Sequence, residues 1–318
     1  MRKKTIIFFT GIFFIICTFG LLRLSQAAGA PEEVNKDKVT VACVNMNPVM
    51  GDKEANLETF KNYIIEASEK GVNIILFPEM SLTDYDISPK LIHELAETIP
   101  GPSTNNIAKL AAKYNVYVIF GMPERDKKDP KIIYNSAAVI APSGILGSYQ
   151  KTHPVLGEKK WVTRGNTYPT FETPWGPIGV GICFDTYGFP EVARIYMVKG
   201  VRLYLNPTSA GYFKGIKKCL EFMIDTVKAR VIENFMFIAS ANTVGYHNKT
   251  EYYGHSFIAG PEFMSVGSHM VAGPASGKLE ALVIGTLDLS ISDKMRGIFI
   301  GIDRHPEDYT ALTSTKKK

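Results

Sequence analysis

The stretch GVGICFDTYGFPE, residues 179–191, joins an uncharged run to a polar turn, and Cys183 lies at the junction. The run before the cysteine predicts a buried strand, and the segment FPEVARIYMVKG, residues 189–200, predicts the helix that follows the turn. A strand, a turn and a helix in this order are typical of an α/β protein. The thiol at the corner has two interpretations, a buried core cysteine or a nucleophile held on a strand-to-turn elbow.

Strands and helices alternate on both sides of this stretch. Residue patterns predict strands at 39–45, 73–77, 116–120, 201–206, 235–242, 255–260 and 281–289. They predict helices at 52–71, 106–114, 189–200 and 216–233, and hairpins that turn at 142–144 and 175–177. Residues 262–276 are expected to form a loop that faces substrate or another subunit, or a tolerated insertion. Because βα units and hairpins both occur and the strands are apolar on both faces, we expect an α/β fold with mixed, buried sheets.

The composition is that of an ordinary globular protein. The 318 residues are 45% hydrophobic and 21% charged. The formal charge is +5, but residues 2–4 and 316–318 supply basic side chains at the two ends, so the body between them is near neutral. This pattern argues against a nucleic-acid partner. The histidines lack paired spacing and no phosphate-binding glycine motif occurs, so we expect neither a metal nor a cofactor.

The first residues, 1–30, have the pattern of a targeting segment. A basic start is followed by an apolar run from Thr5 to Leu22 and then by small residues up to Ala30. This pattern indicates a cleaved signal peptide, and the alternative is an uncleaved single-span membrane anchor. Both alternatives place the body outside the cytoplasm. We expect one domain at 38–310 and a basic tail at 311–318.

Cysteine usage argues against a disulfide scaffold. Of the four cysteines, Cys17 lies in the targeting segment, which leaves Cys43, Cys183 and Cys219. An odd number in an exported protein leaves at least one free thiol. Cys43 and Cys219 are interpreted as packing residues.

Three predicted strands end in chemically reactive side chains. Glu79 follows the strand at 73–77, Lys151 follows the strand of the first hairpin, and Cys183 follows the strand of the second. Ligands of α/β proteins gather at the carboxyl ends of strands, so these groups could converge. A carboxylate, an ammonium and a thiol fit acyl transfer, in which the carboxylate accepts the thiol proton and the ammonium stabilises the oxyanion.

These motifs resemble those of the nitrilase superfamily, the carbon–nitrogen hydrolases. The Glu, Lys and Cys motifs of that family correspond to FPEMSLTDYD, YQKTHP and GICFDTYGFPE, and supporting stretches such as YNSAAVIAPSG and NPTSA extend the likeness over about residues 38–310. The resemblance implies a four-layer αββα sandwich and a homodimer or higher homo-oligomer. It implies catalysis by Glu79, Lys151 and Cys183, with a second glutamate, Glu158, that orients the lysine. It assigns the oxyanion N–H to Phe184; Tyr85, Asn206 and Thr208 are expected in the pocket, and His153 is expected to be structural.

The expected function is therefore that of an exported hydrolase of a small linear amide or N-carbamoyl compound, acting through a Cys183 thioester. Three alternatives stay open. They are an N-acyltransferase that uses the same thioester, a nitrile-cleaving enzyme, and a non-catalytic binding protein. The intact set of Glu79, Lys151 and Cys183 argues against the last.

Overall fold

Two six-stranded sheets, flanked by helices, form the body of the protein. A computed structural model describes residues 35–212, 219–300 and 304–313, and these described residues belong to one compact unit. The predicted targeting segment at 1–30 lies outside the described ranges, as does most of the predicted tail. None of the described helices is long and apolar enough to cross a lipid bilayer.

The strands, in chain order, are β1 Lys38–Asn45, β2 Ile74–Leu76, β3 Tyr117–Arg125, β4 Ile133–Ala141, β5 Gly144–Gln150, β6 Thr170–Phe171, β7 Ile178–Val180, β8 Leu203–Thr208, β9 Phe237–Asn242, β10 Val244–His247, β11 Thr250–Tyr253, β12 Phe257–Pro261, β13 Ser268–Ala272 and β14 Ala281–Asp288. The helices are α1 Lys53–Glu69, α2 Pro89–Leu95, α3 Pro102–Tyr114, α4 Phe184–Gly188, α5 Pro190–Val198, α6 Cys219–Asn234 and α7 Ser290–Phe299. Two 3₁₀ helices span Leu156–Lys160 and Pro306–Thr313.

Both sheets are mixed, as predicted. The first has the order β14-β1-β2-β3-β4-β5 and the second the order β13-β12-β9-β8-β7-β6. In each sheet the three central strands, β1-β2-β3 or β7-β8-β9, run parallel, and antiparallel strands complete both sides. The parallel strands therefore point their carboxyl ends to one edge, where ligand sites form in α/β sheets.

Three apolar layers hold the sheets and helices together. The central layer lies between the two sheets and includes Val41, Leu76 and Ile119 from the first and Leu205 and Phe237 from the second. A second layer joins α1 and α3 to the outer face of the first sheet, and a third joins α5 and α6 to the outer face of the second. This αββα arrangement confirms the predicted fold class. Alternate residues of β1 enter different layers, as the two-residue period of a strand requires.

Local signals explain several element ends. The Asp52 carboxylate accepts a hydrogen bond from the Ala55 N–H (3.0 Å), which caps α1 as predicted. Gly71, just beyond α1, has a positive φ of 70°, a conformation that glycine adopts at little cost. Both predicted hairpins are present as β4–β5 and β6–β7.

Some elements differ from the sequence-based expectation. Residues 262–276 were expected to form a loop, but Ser268–Ala272 form β13, which pairs with β12 at the sheet edge. This edge strand is short, and its structure depends on its pairing with β12 rather than on a local pattern. The hairpin β10–β11 was not predicted; it reverses through Asn248, which has a φ of 47°. Asparagine tolerates this left-handed conformation, as hairpin turns require.

Candidate active site

Side chains that follow two strands meet a side chain of the first 3₁₀ helix in one buried cluster. Glu79 follows β2, Lys151 follows β5, and Glu158 lies in the first 3₁₀ helix. The Lys151 ammonium is 2.6 Å from Glu79 Oε1 and 2.8 Å from Glu158 Oε2. All three side chains are buried. The charges of Glu79 and Lys151 both act on the Cys183 thiol, which places it beside this cluster.

A glycine on β3 determines where Glu79 lies. The loop after β2 crosses β3 at Gly121, whose N–H donates to Pro78 O (3.1 Å) and whose carbonyl accepts from the Leu82 N–H (3.0 Å). A Cβ on Gly121 would lie 2.2 Å from the Met80 nitrogen, so only glycine permits this approach. The second sheet contributes as well, because the Ser209 N–H donates to Glu79 Oε2 (2.9 Å).

Cys183 lies on a tight turn between β7 and α4. Its φ of 50° and ψ of −106° are rare for a residue with a side chain. Two hydrogen bonds fix the turn, from the Cys183 N–H to Pro207 O (2.9 Å) and from the Thr186 N–H to Cys183 O (2.9 Å). Of the two interpretations of this cysteine, the backbone has the geometry of a nucleophile elbow. The side chain is half-buried.

Asp185 ties the cysteine turn to the residues after Lys151. One carboxylate oxygen accepts hydrogen bonds from the Tyr149 hydroxyl (2.8 Å) and the Ile182 N–H (3.2 Å). The other accepts from the Thr152 hydroxyl (2.9 Å) and the His153 N–H (2.8 Å), and lies 2.8 Å from His153 Nδ1. His153 also stacks on Phe189 with ring centroids 3.5 Å apart. The expected structural role of His153 agrees with these contacts.

An asparagine that the sequence reasoning did not single out completes the cluster. Asn135 lies on β4, and its Nδ2 donates to Glu79 Oε1 (2.8 Å) and to Glu158 Oε1 (2.6 Å). Its backbone carbonyl accepts from the Lys151 N–H (2.8 Å). The segment YNSAAVIAPSG had been noted only for its resemblance to the family, and its strand pattern alone does not reveal which side chain reaches the site.

Burial sets the direction of the pKa shifts of Glu79 and Cys183, whereas ion pairing sets that of Lys151. Burial raises the pKa of Glu79, and the nearby Lys151 charge and hydrogen bonds oppose that rise only in part. Burial would lower the pKa of Lys151, but the carboxylates of Glu79 and Glu158 outweigh it and hold this pKa well above its usual range. Burial and the Glu79 charge raise the pKa of the Cys183 thiol to about 12. The resting cysteine is therefore a protonated thiol at neutral pH.

The predicted pocket residues Tyr85, Thr208 and Asn206 lie around the cluster and have different partners. The Tyr85 hydroxyl donates to Glu158 Oε2 (3.3 Å), and its ring packs edge-on against Trp161. The Thr208 hydroxyl is close enough to the Cys183 thiol to lower its pKa. Asn206 lies behind the turn, where its side chain bonds to the hydroxyls of Thr186, Tyr187 and Ser240. A substrate contact by Asn206 or Thr208 stays a prediction.

Phe184 is the first residue of α4. The N–H groups of the first helical turn have no partner within the helix, so that of Phe184 is available to a ligand beside Cys183. Its role in an oxyanion site stays a prediction. Cys43, in contrast, is buried on β1 with its thiol 3.7 Å from Phe257 O, and Cys219 is the half-buried first residue of α6.

Comparisons with known proteins show the family of this chain. The model of the carbon–nitrogen hydrolase family matches residues 40–296. This chain belongs to the carbon–nitrogen hydrolase family. The predicted membership of the nitrilase superfamily is thereby confirmed, and the chain is a carbon–nitrogen hydrolase.

Relatives of this hydrolase cover most of its length. A protein of Schizosaccharomyces pombe named a probable nitrilase is 36% identical over 290 residues, which are 87% of this chain and 99% of that one. The omega-amidase of Homo sapiens is 30% identical over 250 residues, 74% of this chain and 84% of that one. A solved carbon–nitrogen hydrolase from Helicobacter pylori has the same fold, with a TM-score of 0.75 at 23% identity over 87% of this chain and 98% of that one.

Among the described residues, one group of side chains is spaced closely enough to hold a metal ion. His305, Glu307 and Asp308 form this group; all three are exposed, His305 just before the C-terminal 3₁₀ helix and the other two on it. Exposed acidic groups are common without a metal, and none of these residues belongs to the Cys183 cluster.

Proposed function

We propose that this hydrolase cleaves the carbon–nitrogen bond of a small linear amide or N-carbamoyl compound through a thioester on Cys183. One observation carries the proposal: Cys183, on a turn with a φ of 50°, lies beside a carboxylate and an ammonium that contact each other at 2.6 Å. The omega-amidases among the relatives support an amide substrate.

In the first half of the reaction, Glu79 accepts the proton of the Cys183 thiol as sulfur attacks the carbonyl carbon. The raised pKa of the thiol favours removal of its proton and attack by sulfur in one step. The negative charge that forms on the carbonyl oxygen is stabilised by the Phe184 N–H and the Lys151 ammonium. The protonated Glu79 then donates its proton to the leaving nitrogen, the carbon–nitrogen bond breaks, and the thioester remains.

In the second half, water replaces the amine. Glu79 accepts a proton from the water as its oxygen attacks the thioester carbon, and the same oxyanion site is used again. The carbon–sulfur bond breaks, and the thiolate recovers a proton from Glu79. Glu158 contacts Lys151 rather than the thiol, so its role is to orient the ammonium. Over one cycle the thiol proton leaves with the amine and a proton from water replaces it, so the enzyme regains its starting protonation without a cofactor.

The test is a panel of amides, N-carbamoyl compounds and nitriles, followed by intact mass and by ammonia release. The expected result is a transient acyl adduct on Cys183 together with ammonia. Turnover restricted to nitriles would contradict the choice of substrate class. Acyl transfer to an added amine in preference to water would identify an N-acyltransferase, and binding without an adduct would identify a non-catalytic protein.

The cellular location and assembly are part of the same proposal. The basic and apolar pattern of residues 1–30 supports export, either as a secreted enzyme or on a membrane anchor that faces outside. N-terminal sequencing of the protein from its native host should find a mature end near Ala28 or Pro31. Full-length chain in the membrane fraction would favour the anchor.

The homo-oligomer that the family resemblance implies is tested by sedimentation velocity of the mature protein.

A further inference from the structure

Asn135 occupies a distinctive place among the buried groups around Cys183. A ring of contacts joins four side chains, in which Lys151 and Asn135 each bridge the carboxylates of Glu79 and Glu158. The lysine brings a full positive charge to this ring, whereas the asparagine brings only two N–H donors. Two carboxylates and one ammonium leave one negative charge without a cation inside the ring, and an uncompensated buried charge is costly.

We propose that Asn135 is a positioning residue that holds the two carboxylates side by side and keeps Glu79 ionised, ready to accept the thiol proton. The inference rests on the proposed role of Glu79 as the general base. Donors aimed at a carboxylate favour its charged form, and a bond to a charged group is stronger than one between neutral groups. The Asn135 amide makes two such bonds at once.

The orientation of the amide supports this role. Asn135 Oδ1 is buried and has no hydrogen-bond partner among the described residues. Rotating the amide by half a turn would face that oxygen toward two carboxylate oxygens, which is repulsive, so the Nδ2 group must point to the carboxylates. The side-chain carbonyl of Asn135 is thus left unpaired, while both N–H donors of its amide point to Glu79 and Glu158. A residue with only a packing function would not need this arrangement.

The groups around Glu79 leave few alternatives for this task. The ionisable side chains that act electrostatically with it include Lys151, Glu158, Cys183, Tyr85 and Tyr252. Of these, Lys151 is the cation, and it is shared with Glu158. The hydrogen bond from Asn135 lowers the pKa of Glu79, against the rise that burial causes. Loss of that bond should therefore make Glu79 bind its proton more tightly.

The experiment follows the rate at which iodoacetamide alkylates Cys183 as a function of pH, read from the mass of the Cys183 peptide. The wild-type rate should fall at acidic pH as Glu79 becomes protonated. Asn135→Ala should move the midpoint of this fall upward by about one pH unit, the size expected for loss of one hydrogen bond to a charged group. Asn135→Asp should move it further, because a third carboxyl group adds to the repulsion. The rates of Asn135→Ala should approach those of the wild type at high pH.

Matched controls separate this effect from a loss of structure. Ser136→Ala removes the next side chain of β4, which is equally buried and bonds to Glu124 instead (2.6 Å), and it should leave the midpoint unchanged. Should Asn135→Ala fail to fold, Asn135→Ser serves in its place, with a shift of the same sign. A loss by the same factor at every pH would overturn the inference. Persistence of the acidic fall in Glu79→Gln would instead refute Glu79 as the base, which is a different failure.

Discussion

The Lys151 ammonium lies 2.6 Å from a carboxylate oxygen of Glu79, and both side chains are only 1% exposed. An ion pair at a protein surface contributes little, because water competes for both charges. A buried pair differs, since each charge has lost its water and depends on the other. Removing one partner of a buried pair typically costs about 3–5 kcal/mol. The pair therefore makes the fold and the reaction depend on the same two residues.

Lys151→Met should destabilise the protein by an amount that depends on pH. Without the ammonium, the pKa of Glu79, already raised by burial, rises further. A carboxyl group whose folded-state pKa exceeds its unfolded value favours the fold fully below the unfolded pKa, and this contribution is lost as pH rises through the folded pKa. The loss of stability relative to wild type should therefore be smaller at pH 5 than at pH 8, with about 3–5 kcal/mol at the higher pH. Urea unfolding at both pH values measures it.

The control for this prediction is an exposed lysine. Lys61 pairs with Glu58 at 2.9 Å on the surface of α1, so Lys61→Met should leave the urea midpoint unchanged at both pH values. Equal destabilisation of the Lys151→Met protein at pH 5 and pH 8 would contradict the prediction, because it would mean that the lysine does not change the pKa of the neighbouring carboxylates.

Cys183→Ala should abolish turnover while the protein stays folded, because the mechanism requires sulfur at that position. Cys43→Ala should keep most activity, since the Cys43 thiol is buried on β1 and contacts a backbone carbonyl. Cys219→Ala should also keep most activity, because Cys219 begins α6. Ammonia release and intact mass are measured for all three. Substantial turnover by Cys183→Ala would exclude a thioester on this residue.

Glu79→Gln and Glu158→Gln should fail in different steps. Glu79→Gln removes the base, so acylation by an amide should slow by about 10²–10⁴-fold. Glu158→Gln can still accept a hydrogen bond from Lys151, so its loss should be smaller and should affect both acylation and deacylation, which share the oxyanion. Single-turnover kinetics with an amide and with an activated ester of the same acid separate the two.

The activated ester has a leaving group that needs no proton. Part of the Glu79→Gln defect should therefore disappear with the ester, whereas the Glu158→Gln defect should remain. If both variants respond alike to the better leaving group, the division of roles between the two glutamates is wrong.

Gly121→Ala adds only one methyl group, but it should reduce activity strongly. The added methyl group would meet the backbone of Met80 and Glu79, so the loop that carries the base must move. Displacing a catalytic group by about 1 Å can cost about 10²-fold in rate.

Gly297→Ala, on α7, is the control, because a Cβ at this position would meet no atom within 4 Å. It should leave kcat unchanged and should not lower the melting temperature, since alanine favours a helix. A wild-type kcat in Gly121→Ala would show that the loop tolerates the shift.

Much of the fold follows from local patterns in the sequence. The alternation within β1 and the caps of α1 depend on neighbouring residues, so the chain reveals them directly. The hairpin β10–β11 lacks a strong turn sequence, and β13 is an edge strand whose pairing with β12 decides its structure. Such pairing depends on residues that are distant in the chain, and this explains why these strands were missed.

Parts of the candidate site also follow from local sequence, whereas other parts depend on residues that are distant in the chain. The positions of Glu79, Lys151 and Cys183 at strand ends were readable from the order of apolar runs and polar residues. The elbow at Cys183 was only one of two interpretations, because the bond that holds its N–H comes from Pro207 on a neighbouring strand. Asn135 was missed because its amide meets carboxylates that come from two other segments.

The contact between Ser209 and Glu79 has a consequence for how the enzyme loses activity on heating. The base belongs to the first sheet, but the N–H that holds one of its oxygens belongs to the loop after β8 in the second. A small slip of one sheet against the other would break this bond while leaving the two outer apolar layers nearly intact. The catalytic rate therefore depends on the alignment of the two sheets. On heating, activity should be lost at a lower temperature than the helical circular dichroism signal.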